Sequence, residues 1–170
     1  MFRRLRKDGP IVLVPLAWSF VTAAHLGYVS LRTLLAAHVV MNVVFVVFTA
    51  ASWSEMRSGV LYAWKLVLLV GFGFTAAGTV ALAVAPADTD LVAIMLAAWM
   101  LVPAAAFVYT ARNVAEAPGV YRAAAALSVL GWTVYFGGPL VSLGGPATVA
   151  GLTLVNVGQT AGIANAVVQY

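Results

Sequence analysis

Runs of about twenty apolar residues, parted by short polar gaps, fill this chain. A helix needs about 20 mostly apolar residues to cross a bilayer. The runs predict six such helices: Ile11 to about Tyr28, about Thr33 to Ala51, about Val60 to Ala85, about Leu91 to Ala111, about Val120 to Phe136, and about Ala147 to Val168. Between them lie Val29 to Arg32, Ser52 to Gly59, Ala87 to Asp90, Arg112 to Gly119, and a glycine- and proline-rich stretch before the last helix. None of these gaps is long enough for a soluble domain. The pattern predicts an all-α, polytopic transmembrane bundle of six helices, forming one integral membrane domain over residues 1–170.

Composition strengthens this reading. Hydrophobic residues make up 64% of the chain and charged residues 8%. A soluble domain is about a quarter charged. A soluble fold of 170 residues would still expose much of that apolar surface to water. The net charge of +4 does not point to nucleic acid, because Arg3, Arg4, Arg6 and Lys7 cluster before the first run. Such a cluster orients a membrane protein and attracts anionic lipid.

Assigning alternate gaps to opposite sides sorts the cations. Arg3, Arg4, Arg6, Lys7, Arg57, Lys65, Arg112 and Arg122 fall on one side and only Arg32 on the other, while Asp88 and Asp90 join Arg32. The positive-inside rule then predicts a multi-pass protein of the plasma (inner) membrane with both termini cytoplasmic. A basic start followed by an apolar run also resembles a signal peptide, cleavable after Thr22-Ala23-Ala24. Trp18 and His25 are unusual for such a segment.

Chemistry is sparse. The chain has no cysteine, which excludes disulfides, thiolate metal sites, cysteine nucleophiles and c-type haem attachment. No HExxH, GxSxG or P-loop pattern occurs, and all five acidic residues lie in gaps or at the N-terminus. An enzyme is therefore not the favoured reading.

The two histidines, His25 and His38, stand about equally far from the first turn. In a hairpin of the first two helices both would lie about 10 Å from that turn, in the outer half of the bilayer. Trp18, Thr22 and His25 share one helical face, and His38, Asn42 and Thr49 share another. Polar stripes within membranes tend to face the bundle interior. These residues form a candidate ligand or cofactor site, with His25 and His38 as candidate ligands for a metal ion or haem b, or as partners of a quinone.

The repeat Gly137-Gly138-Pro139 and Gly144-Gly145-Pro146 interrupts the helical pattern. Broken helices build substrate sites in transporters. The alternative is an ordinary outer loop. In the last helix, Gly151, Gly158 and Gly162 form a small-residue face, for packing within the bundle or against a second copy or larger membrane complex. Gly71, Thr75 and Gly78 form a similar face in the third helix. Lys65 is placed to snorkel to the inner interface, and Trp53, Trp64, Tyr109 and Tyr121 read as interfacial anchors. Trp18 and Tyr28 match the spacing of Trp99 and Tyr109, too slight a likeness to establish an inverted repeat.

Three functions fit. The foremost is a small transporter or channel, or a subunit of one, with a polar site in the outer half of the bilayer. The others are a haem-, metal- or quinone-binding redox protein using His25 and His38, and a non-catalytic accessory subunit.

Overall fold

The computed structural model describes residues 2–86 and 90–169, with side chains from Gly9 onward. Asp88 and the side chains of Arg3, Arg4, Arg6 and Lys7 lie outside the described residues. Among the described residues there are six α-helices: α1 (Phe2–His25), α2 (Leu31–Ser52), α3 (Gly59–Val84), α4 (Asp90–Asn113), α5 (Pro118–Gly137) and α6 (Gly144–Gln169). A short 3-10 helix, Gly138–Val141, links the last two. The protein is a helical bundle. Helices α2 to α6 are long and apolar enough to cross a membrane, whereas the apolar part of α1 is the shorter segment Gly9–His25.

Local chemistry explains where the helices start and stop. The first helix ends at His25 rather than Tyr28 because Gly27 takes a left-handed φ of 79°. The N–H groups of Gly27 and Tyr28 then return to the carbonyls of Ala24 and Ala23, which closes the helix end. The Ser30 hydroxyl accepts from the Thr33 N–H and caps α2. Pro118 opens α5, where its missing N–H has no intrahelical partner to lose.

The GGP repeat becomes a connection rather than a break within a helix. The first copy closes α5 and turns into the 3-10 helix, and the Leu143 N–H bonds the Gly138 carbonyl at 2.9 Å. The second copy lies in the first turn of α6, which starts three residues before the sequence pattern places it. Pro146 is harmless there because first-turn N–H groups are free of intrahelical bonds.

The helices pack in the order α2, α3, α4, α5, α6, α1, and α4 also touches α6. The expected hairpin of the first two helices does not form: among the described residues α1 packs on α6 and α2 on α3. The closest approach is between α5 and α6. A Cβ on Gly151 would stand 2.6 Å from the Gly131 carbonyl oxygen, so the two backbones meet directly. Gly158 and Gly162 pack on α5 and Phe107. The glycine face of α6 is thus occupied within the chain.

Only 6% of the most apolar window of α2 is buried. Val39, Val40, Val43, Val46 and Val47 all face outward. So much exposed aliphatic surface suits hydrocarbon, not water. Lys65 is buried, with its ammonium 4.6 Å from the Trp53 ring centroid and 4.9 Å from that of Tyr62. Both rings lie toward the start of α3, the direction expected of a snorkelling lysine. Tyr121 departs from the anchor role: at 1% exposure it is a core residue, stacked near Phe107.

Candidate functional site

The site begins at a proline. Pro103 lies inside α4, where it has no N–H to offer the carbonyl four residues earlier. That carbonyl belongs to Trp99. In a bilayer an unpaired carbonyl is costly, and a neighbouring helix can supply the missing donor. Here α6 does so: Gln159 Nε2 donates to the Trp99 carbonyl at 2.9 Å. The other end of the same amide, Oε1, accepts from the Trp18 indole N–H at 3.0 Å. Gln159 is 4% exposed and Trp18 6%. One buried amide therefore ties α1, α4 and α6 together.

The line continues toward α2. The Trp99 indole N–H donates to Thr75 Oγ1 at 2.9 Å, and Thr75 Oγ1 donates to the Gly71 carbonyl. Thr79 Oγ1 donates to the Thr75 carbonyl at 2.6 Å. Asn42 Nδ2 then donates to Thr79 Oγ1 at 2.9 Å and to the His38 carbonyl at 3.0 Å. Phe45 stacks on Trp99 with centroids 5.0 Å apart. The result is a neutral polar network that joins five helices. Gly71 is required because the Trp99 indole lies where its Cβ would be.

The layer is incomplete. Asn42 Oδ1 and Trp132 Nε1 are buried without a hydrogen-bond partner among the described residues. Trp132 packs against the cluster of Trp18, Met100, Leu152 and Val155. Asn42 also borders a groove of about 230 Å³ between α2 and α3. Asn42 therefore keeps one spare acceptor within the layer, and Trp132 keeps one spare donor in α5 beside it.

The histidines lie toward the ends of α1 and α2 that flank the first turn. His25 is exposed; its Nδ1–H donates to the Val21 carbonyl at 2.9 Å, so Nε2 accepts from the Tyr135 hydroxyl at 2.6 Å. This contact joins α1 to α5. His38 is half-buried and its Nδ1–H donates to the Leu34 carbonyl at 2.9 Å, which leaves the Nε2 lone pair without a partner among the described residues. Thr22 donates to the Trp18 carbonyl. The structure thus brings Trp18 and Asn42 into one polar network. It sets His25 on a helix packed against α6 and His38 on one packed against α3. No three His, Asp or Glu side chains converge as a metal site among the described residues.

Pro103 and Gln159 give the network its logic, and the first was missed in the sequence. A proline midway along the apolar run from Leu91 to Ala111 was the available signal. Comparisons with family models, curated proteins and solved structures gave no match.

Proposed function

We propose that the protein is a small plasma-membrane carrier for an uncharged polar solute, with both termini cytoplasmic. The observation that carries this reading is the proline gap of α4, bridged at mid-depth by the Gln159 amide. Transporters place substrate sites where helix continuity is interrupted and backbone carbonyls face a neighbouring helix. Gln159 makes two exchangeable hydrogen bonds there, and a solute hydroxyl or amide offers the same donor and acceptor. The unpaired Asn42 Oδ1 and Trp132 Nε1 supply further contacts, and the indoles of Trp18 and Trp99 supply apolar faces. No charged side chain belongs to the layer, which favours an uncharged solute. His25, His38 and Thr22 lie between this layer and the outer end, on the route a solute would take. The distribution of cations supports the orientation.

Thermal unfolding of the purified protein against a panel of sugars, polyols and small amides tests the reading. At least one solute should raise the melting temperature, and Gln159→Leu should remove that response while Thr153→Ala, on the exposed face of α6, retains it. A panel without effect on the wild type would contradict the proposal.

A second reading has its own support. Both ends of the Gln159 amide are paired, and the Trp99 indole N–H and Asn42 Nδ2 find acceptors within the chain as well. These features suit an accessory subunit whose polar layer only holds helices together. That reading expects Asn42→Leu and Trp132→Phe to leave cellular function intact.

A further inference from the structure

A groove of about 720 Å³ runs along the outer surface of α4 and α5. Buried Ala104 and Ala125 line it, and Val108, Val129 and Leu130 stand exposed beside them. Arg122 lies at the end where α5 begins. Arg112 follows Val108 by four residues in the last turn of α4, and so continues the same helical face to the same end of the groove. Neither arginine has an acidic partner among the described residues. From Arg122 to Thr133 the lining extends about 16 Å along α5, close to the depth of one hydrocarbon leaflet.

We infer that this groove binds an anionic glycerophospholipid of the leaflet on the arginine side. The acyl chain lies along the alanine-lined trough, and the phosphate sits between Arg112 and Arg122. Basic sites beside grooves between membrane helices recognise anionic headgroups. Charge complementarity selects this occupant over a second copy of the chain. A two-fold dimer on this face would bring the same arginines of both copies together. An anionic lipid instead neutralises them.

The test uses the full-length protein in neutral detergent, titrated with short-chain phosphatidylglycerol. Phosphatidylcholine with the same chains and free glycerol phosphate are titrated in parallel. Thermal unfolding and native mass spectrometry give the two readouts. Phosphatidylglycerol should raise the melting temperature and remain bound, whereas the other two should not. Replacing both arginines (Arg112→Gln with Arg122→Gln) should weaken the apparent affinity about thirtyfold. Ala126→Trp, which fills the trough, should weaken it as well, and Arg32→Gln at the opposite end should not. Arg122→Lys keeps the charge and should retain most of the response, which separates lost binding from lost folding. Equal responses to both lipids would overturn the inference. So would a full response to glycerol phosphate, a phosphatidylglycerol response that survives the double arginine change, or a lipid-independent dimer abolished by Ala126→Trp.

Discussion

Gln159→Leu removes both hydrogen bonds of the buried amide in a side chain of similar size. Trp18 Nε1 loses its acceptor, and the Trp99 carbonyl loses the donor that stands in for the N–H Pro103 lacks. In soluble proteins each orphaned buried group costs about 1–3 kcal/mol. Interhelical hydrogen bonds in membranes are weaker, averaging about 0.6 kcal/mol with a maximum near 1.7. Two such bonds put the expected loss at about 1–3 kcal/mol. Equilibrium unfolding in mixed micelles with increasing denaturing detergent measures it directly. A double-mutant cycle isolates the cause. In Pro103→Ala the new N–H pairs with the Trp99 carbonyl inside α4, so Gln159→Leu then breaks one essential bond instead of two. Its cost should fall by about 0.6–1.7 kcal/mol in that background. A Gln159→Leu protein as stable as wild type, or an unchanged cost in Pro103→Ala, would refute the reasoning.

Other outcomes follow from the same packing. Gly151→Val should cost about 1–3 kcal/mol, since its Cβ would stand 2.6 Å from the Gly131 carbonyl oxygen; detergent unfolding checks it, and a loss under about 0.5 kcal/mol would count against the close α5–α6 contact. Trp132→Phe removes an unpaired buried N–H, so stability should hold or rise while solute binding falls. Loss of stability with unchanged binding would contradict this assignment. The cysteine-free chain permits single-cysteine mapping. Ser54→Cys should react with an impermeant thiol reagent only in inside-out vesicles and Ser142→Cys only in intact cells, whereas the reverse would invert the orientation. The purified protein should show no haem absorption band, and a band lost in His25→Ala or His38→Ala would favour the redox alternative.

The bundle was legible because apolar run length and polar gaps act locally. Asp90, Pro118 and the Ser30 cap lie at helix starts the gaps already marked. Neighbour choice was not legible. The first two helices are joined by a short turn, which favours a hairpin, yet each finds a better partner elsewhere. Trp18 reaches Gln159 across 141 residues of sequence, and no local pattern encodes that distance. Of the candidate residues, Trp18 and Asn42 join the polar network, whereas His25 meets Tyr135 and His38 bonds its own helix. In the GGP repeat two prolines adjoin four glycines, but both copies fall at helix ends, where proline is inexpensive. Pro103 had the greater consequence, because a carbonyl freed at mid-membrane must find a donor from another helix.

Solute counterflow tests the carrier most directly. Proteoliposomes preloaded with each uncharged solute of the panel are diluted into a trace of the same labelled solute. The predicted result is transient accumulation of label for at least one solute, lost in Gln159→Leu and retained in Thr153→Ala. Label at the level of protein-free liposomes for every solute would contradict a carrier and leave the polar layer as helix packing alone.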